Sequence, residues 1–304
     1  MDKSSFGILG GGFGVYGWLQ AILKNKSQNI VTLEKYKNFI SKKVNLKEKR
    51  KILFKQNVED IIINSDIIII AKRPNDQFNI IKKYKKILKN KCLVLEKPIS
   101  SNPRRAKNLI NILYKNNIKF QTGFILNETK WANTIKNLII SNKINKLEIY
   151  WNFLANHYLI NSKTWKKNYL KGGGALNFYL IHVIFWLNNI SNWKITHISK
   201  NKKKYEDPKI DMILKSKNLE IKIRCDTTFS KRKHFKIIGY KNNKMIKRIN
   251  LSTPFKYYSR NRKIDERVFY LNKILDKISN NLWVNYKLIY KHLDLWNNIY
   301  KKHF

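Results

Sequence analysis

Four groups of residues in this sequence have the types and spacing to do chemistry. The first is Phe6-Gly7-Ile8-Leu9-Gly10-Gly11-Gly12-Phe13-Gly14-Val15-Tyr16-Gly17, followed by the helical run Trp18–Leu23. A strand that stops in glycines and restarts as a helix lets backbone N–H groups approach a pyrophosphate, and the positive end of the helix holds its charge. Two registers fit, Gly10-x-Gly12-x-Gly14 and Gly12-x-Gly14-x-x-Gly17. The first is preferred because Gly10 directly follows the strand, so Gly10, Gly12, Phe13 and Gly14 are the expected contacts of a dinucleotide. The second group is Glu34 with its neighbours. It ends the second strand about 20 residues past the glycines, where an acid accepts from a ribose 2′-hydroxyl. Lys35 and Lys37 beside it suit a 2′-phosphate instead, so NAD and NADP both stay open.

The third group is Leu93-Val94-Leu95-Glu96-Lys97-Pro98, a buried strand that delivers Glu-Lys-Pro to its C-terminal end. Ligands of open parallel sheets bind at that edge. A lysine there can serve as acid or base when burial beside positive charge lowers its pKa, and Pro98 restricts the backbone that follows. The fourth group starts at Trp165-Lys166, passes through Gly172-Gly173-Gly174-Ala175-Leu176, and ends at His182 on an apolar helix. Phe178 stands four residues before His182, one helical turn away, with Asn177 and Tyr179 on either side of it. His157 follows a strand and could line the same pocket. His197, His234, His292 and His303 show no metal-ligand spacing, so no metal site is expected. Trp283, Tyr286, Tyr290 and Trp296 recur near helical spacing, which reads as core before it reads as a base-stacking platform.

The elements that must position these groups fall into two patterns. Over residues 1–123, short apolar runs alternate with helices: Phe6–Leu9, Ile30–Leu33, Lys51–Phe54, Ile67–Ala71, Cys92–Leu95 and Ile118–Gly123. That is the signature of a parallel sheet with helices on both faces. Over residues 124–304 a helix at Glu128–Ser141 leads to a strand at Leu147–Ala155. After a central helix come Trp193–Ser199, Lys209–Lys215, Leu219–Cys225, His234–Tyr240 and Lys244–Ile249. In Leu219–Cys225 the apolar Leu219, Ile221, Ile223 and Cys225 alternate with Glu220, Lys222 and Arg224, as in a strand with one wet face. Short turns between these strands predict antiparallel pairing. Two helices close the chain, interrupted near Asn280-Asn281. The expectation is an α/β chain: a parallel-sheet domain over 1–123, then an α+β domain over 124–304 with a mostly antiparallel, open-faced sheet.

These motifs, in this order, resemble the glucose–fructose oxidoreductase / inositol dehydrogenase family over essentially the whole chain. The resemblance rests on the glycine loop, Pro74-Asn75, Glu96-Lys97-Pro98, Thr122-Gly123-Phe124, Trp165-Lys166, Gly172-Gly173-Gly174-Ala175-Leu176 and His182. It implies a Rossmann-type first domain binding NAD or NADP, with Pro74, Asn75, Glu96 and Lys97 joining the glycines and Glu34 or Lys35 at the cofactor. It implies that Lys97 lies beside the nicotinamide and, with His182, moves the proton that accompanies hydride transfer. It also implies a carbohydrate-like small molecule against Trp165, Lys166, Asn177, Phe178 and His182. The family pattern has an Asp where Phe178 stands, and a His where Phe78 ends Pro74-Asn75-Asp76-Gln77-Phe78. Either Lys97 and His182 work without that acid, or the chemistry is altered.

Composition sets the alternatives. The 304 residues are 43% hydrophobic and 13% aromatic, enough to form two cores. The formal charge is +44, yet the 63 basic residues include only ten Arg and run from Lys3 to Lys302 without gathering in a stripe. Lys mixed with much Asn and Ile is what A/T-rich codons produce, so no specific nucleic acid is expected, although a positive field still favours anionic ligands. Two isolated cysteines fit a reducing compartment. The first strand begins within six residues, leaving no room for a signal peptide, and no apolar run approaches the roughly 18 residues that cross a bilayer. A cytoplasmic enzyme without a membrane partner is the expectation, and the C-terminal sheet is the surface through which copies could associate. The competing readings are a non-catalytic relative that binds a dinucleotide or sugar to regulate something else and, supported by charge alone, a nucleic-acid-binding protein.

Overall fold

In a computed structural model the strands of the first 123 residues pair as a single parallel sheet. The structure describes residues 4–24, 29–201, 203–230, 233–256 and 265–304. The strands are β1 (Phe6–Leu9), β2 (Ile30–Leu33), β3 (Ile52–Lys55), β4 (Ile67–Ile70), β5 (Cys92–Leu95) and β6 (Phe120–Thr122). Their order is β3-β2-β1-β4-β5-β6, and every neighbouring pair is parallel. β1, β2 and β4 are buried at every position, as strands covered on both faces must be. The chain leaves β1 to cross to β2 on one side, whereas β4 to β6 run off the other side. The C-terminal ends of β1 and β4 therefore flank the point where the strand order reverses.

The second sheet contains β7 (Lys146–Asn152), β8 (Lys194–Ile198), β9 (Lys209–Ser216), β10 (Leu219–Asp226), β11 (His234–Lys241) and β12 (Lys244–Leu251), in the order β12-β11-β7-β10-β9-β8. Its pairs are antiparallel except β7 with β10, which are parallel. The exception follows from connectivity, because the chain between these two strands passes through the central helix and β8–β9 before returning beside β7. Leu219, Ile221, Ile223 and Cys225 are all buried, so the alternation in β10 holds. The apolar helix Ile181–Asn188 is buried at every residue. The segment Tyr169–Asn188 is long and apolar enough on composition to span a bilayer, which the short uncharged runs of the sequence did not register, but most of it is buried inside the protein. Both cysteines are free; Cys225 is fully buried and Cys92 half-buried.

Two compact units make up the chain. One comprises the described residues of Met1–Ser100, Arg105–Ile125 and Tyr257–Tyr286, the other those of Ser101–Arg104, Leu126–Lys256 and Lys287–Phe304. A single cut after residue 123 therefore misassigns the helix Arg267–Ser279, which packs against Gly14–Leu19 and Gln20–Lys24 of the first unit. The last helix, Tyr286–His303, belongs almost wholly to the second unit. There the fully buried Trp296 donates its indole N–H to Asn177.

Two imidazoles of the second unit are buried beside lysines. Burial first, and then Lys291, lowers His292 to about 4; burial, then Lys166 and Lys167, does the same to His157. Each is neutral in the folded state and ordinary, near 6.5, in the unfolded chain, so below that pH the unfolded chain binds more protons. The associated stability is fully present above pH 6.5 and is lost as the pH falls toward about 4, on the order of 3 kcal/mol for each group. Denaturation midpoints measured across this range should fall, and His292→Gln should flatten the slope. A midpoint independent of pH between 6.5 and 4 would contradict the burial of both rings.

Candidate functional site

At the end of β1 the chain turns against the end of β4. Gly10 adopts φ +155°, and a Cβ there would stand 2.1 Å from the Ala71 carbonyl oxygen, so only glycine fits. Gly12 is the opposite case. Its φ is +38°, and among the described residues a Cβ would meet nothing within 4 Å. The loop thus has one side pressed on the protein and one side open, and the Gly14 N–H closes the turn on the Gly11 carbonyl at 2.7 Å. The helix that follows begins as a π-helical segment at Gly14–Leu19 and tightens to α-helix at Gln20–Lys24. π segments recur at functional sites, and this one starts within the glycine run. Asn75, in the first turn of the helix Pro74–Leu88, has a buried Oδ1 with no hydrogen-bond partner among the described residues. An open glycine turn at a helix start, with an unspent amide oxygen after β4, has the shape to hold a dinucleotide.

Glu34 lies directly after β2 and is partly committed. It accepts from the Gln56 amide and sits 4.0 Å from the Lys37 ammonium. Lys35 is exposed, with its ammonium 5.6 Å from the Tyr36 ring centre. Tyr36 itself covers Gly11, and its hydroxyl accepts from Lys72 at 3.1 Å. The strand end therefore carries one carboxylate among three cations.

Glu96 is buried at the end of β5. Its Oε1 accepts the indole N–H of Trp18 at 2.6 Å and its Oε2 accepts the Lys97 amide at 3.1 Å. Burial pushes its carboxyl pKa up; the Lys97 charge, the Trp18 bond and the more distant Arg267 oppose this without cancelling it. Gln77 holds the same corner through the main chain. Its amide N–H₂ donates to the carbonyls of Glu96 and Ile99, and its oxygen accepts the Glu96 N–H. The Lys97–Pro98 peptide bond is cis. Lys97, between these two supports, is half-buried.

In the second unit Gly173 lets the chain double back on itself. A Cβ there would be 2.3 Å from the Trp165 carbonyl and 2.5 Å from that of Lys166. This close approach brings the Trp165 ring edge-on to Phe178 at 5.4 Å and the Lys166 ammonium over the same ring at 5.7 Å. Phe178 also packs on Tyr179, which stacks on His157 at 6.2 Å. The His157 Nε2 is buried without a hydrogen-bond partner among the described residues. His182 is buried against Phe255, with ring centres 5.2 Å apart. Asn177 has a different role from the expected substrate contact. It is fully buried, its oxygen accepts from Trp296, and its nitrogen donates to the Tyr169 carbonyl, so both ends of the amide serve the core.

Several residues in these constellations carry no local signal in the sequence. Asp207 accepts the Leu176 N–H at 2.9 Å and receives His303 at 2.8 Å, anchoring the start of the helical segment that carries Phe178 and His182. Trp18 and Gln77 brace Glu96 from helices remote in sequence. Trp18 yields a direct test. Trp18→Phe keeps an aromatic ring but removes the N–H and part of the ring volume, leaving a buried carboxyl oxygen without its donor beside a small cavity, which should cost at least about 1–3 kcal/mol of stability in chemical denaturation. An unchanged unfolding free energy would mean that Glu96 does not depend on this bond.

No protein-family model matches the sequence, and no curated protein does. Solved structures do match in fold. A dehydrogenase from Clostridium difficile is 18% identical, covering 98% of this chain and 99% of its own, with a TM-score of 0.73. The WlbA dehydrogenase from Bordetella pertussis, solved with NADH and UDP-GlcNAcA, is 12% identical over 98% of this chain and 95% of its own, TM-score 0.74. Scyllo-inositol dehydrogenase from Lactobacillus casei, solved with NAD(H) and scyllo-inositol, is 15% identical over 99% of this chain and 97% of its own, TM-score 0.73. From end to end, then, the chain has the fold of dehydrogenases of the glucose–fructose oxidoreductase / inositol dehydrogenase type.

Proposed function

We propose that the protein is an NAD(P)-dependent oxidoreductase acting on a hydroxyl- or imine-bearing carbon of a sugar or a sugar-nucleotide-like molecule. The observation that carries the reading is the glycine turn at the strand-order reversal, closed on its Gly10 side and open at Gly12. The ligands of the matched dehydrogenases, NADH with UDP-GlcNAcA and NAD(H) with scyllo-inositol, support the cofactor and substrate class. In this reading the N–H groups of the Gly10–Gly14 turn bind the pyrophosphate, Asn75 takes a polar group of the dinucleotide, and Glu34 or Lys35 meets the adenosine ribose. When bound, the nicotinamide supplies the hydride acceptor or donor.

Lys97 moves the proton. It stands at the C-terminal end of β5 on a corner held by Trp18, Glu96 and Gln77, and such fixed placement is what a general acid or base requires. His182, together with Trp165, Lys166 and Phe178, binds and orients the substrate. Phe178 occupies the position of the family's acid and brings a ring instead, so Lys97 carries the larger share. The same observation favours one second reading, a relative that binds nucleotide and sugar without turning them over. A cytoplasmic location remains part of the proposal.

A thermal-shift series with NAD, NADH, NADP and NADPH, followed by sugar nucleotides added to the best of them, tests the reading. Gly12→Ala places a Cβ where the chain leaves open space. The fold should lose only about 1–2 kcal/mol for the left-handed conformation, while nucleotide affinity should drop at least tenfold. Unchanged affinity would remove the pyrophosphate from this loop. Lys97→Ala should lower turnover at least about a hundredfold with nucleotide binding intact, and His182→Ala should act mainly on substrate KM. Nucleotide binding with no turnover by the wild-type chain would favour the non-catalytic reading, and equal turnover in all three proteins would take the proton transfer away from Lys97 and His182.

A further inference from the structure

The glycine loop is gripped by a residue from late in the chain. Helix Arg267–Ser279 packs against Gly14–Leu19 and Gln20–Lys24, and Arg267 is its first residue. The guanidinium carbon lies 4.4 Å from the ring centre of Phe13 and 5.7 Å from that of Tyr16. These two rings meet edge to face at 5.3 Å. Phe13 is also packed on Gly17, where a Cβ would stand 2.5 Å from its ring. The guanidinium is itself aimed by Asp265, which accepts from Nε at 2.9 Å and from Nη2 at 2.7 Å, and the side chain is only 29% exposed. Burial works against its charge, but the Asp265 fork and Tyr16 more than offset this and hold it charged. Only a planar, forked cation can pair with a carboxylate along one edge and lie on an aromatic face with the other.

Phe13 is a residue of the turn whose backbone should meet the pyrophosphate, so whatever fixes its ring fixes Gly12-Phe13-Gly14. We propose that Arg267 is a positioning residue of the dinucleotide loop, pressing Phe13 onto Gly17 so that the turn is set before an anionic dinucleotide binds. The inference rests on the dinucleotide reading above and goes beyond it, because it assigns cofactor affinity to a helix that follows the second sheet in sequence.

The test compares dissociation constants for NADH and NADPH, read by fluorescence, with thermal midpoints for the wild-type chain, Arg267→Ala, Arg267→Lys and Phe13→Leu. Arg267→Ala should raise Kd about tenfold with little change in Tm, the loss expected of one desolvated cation–ring contact. Arg267→Lys should not restore affinity, because an ammonium keeps the charge without the fork and the flat face. Phe13→Leu should weaken binding similarly, and adding it to Arg267→Ala should cost little more. Unchanged Kd in Arg267→Ala, or full recovery with Lys, overturns the inference; the second result would mean that charge alone matters. If Arg267→Ala does not fold, Phe13→Leu decides, and wild-type affinity in that variant overturns it. A wild-type chain that binds neither nucleotide overturns the dinucleotide reading and this inference together, before any variant is compared.

Discussion

A carboxyl group buried at the end of a central strand must find its hydrogen bonds inside the protein, because water does not reach it and an unmet charge or dipole there is expensive. Glu96 meets this constraint through Trp18 and the Lys97 amide, and much of the first unit is arranged around it. To deliver its indole N–H, Trp18 sits in the π-helical segment directly after the glycine turn. One hydrogen bond therefore ties the helix that starts at the glycines to the corner that carries Lys97. Gln77 adds a second tie from the helix following β4, through three main-chain bonds. The glycine turn, the Asn75 helix and the Lys97 corner all gather at the C-terminal edge of the sheet, and each is braced by a residue from another element.

The second unit solves a similar problem with different groups. The apolar helix Ile181–Asn188 is buried on every side, so nothing amphipathic orients it. Polar anchors do so instead. Asp207 caps the start of the preceding segment and is held in turn by His303, while Asn177 is pinned by Trp296. Both partners, Trp296 and His303, lie on the last helix, so the terminal turns of the chain set the rotation of the helical segment that carries Phe178 and His182. The cost of this arrangement is that Asn177 is spent on the core. Phe178 is left, with Trp165 and Lys166, as an aromatic and cationic cluster where the related pattern has an acid.

The formal charge of +44 comes from basic residues spread along the whole sequence. On the second sheet the scarce acids are each matched to a base: Glu148 with Lys146, Asp226 with Lys209, Glu220 with Lys215, and Asp211 with Arg224. Such half-exposed pairs contribute little stability, but they keep a lysine-rich face from repelling itself. At the end of β2 the same excess sets Lys37 beside Glu34 and both Lys35 and Lys72 against Tyr36, so the one carboxylate there is outnumbered by cations.

Patterns a few residues long were enough to specify a large part of this structure. The β1–glycine–helix order, the buried runs of the parallel sheet, the Glu96-Lys97-Pro98 corner and the alternation in β10 are of this kind, because backbone sterics and burial on one or two faces act locally. Long-range packing settled the remainder. It paired β7 with β10 in parallel, returned Arg267–Ser279 to the first unit, and gave Asn177 to the core. It also joined Trp18 to Glu96, Asn177 to Trp296 and Asp207 to His303 across 78, 119 and 96 residues of chain. No periodicity reports such contacts. A tryptophan in an apolar helix reads as core whether or not its N–H has a partner, and the partner becomes definite only when packing leaves a buried polar atom that must be satisfied.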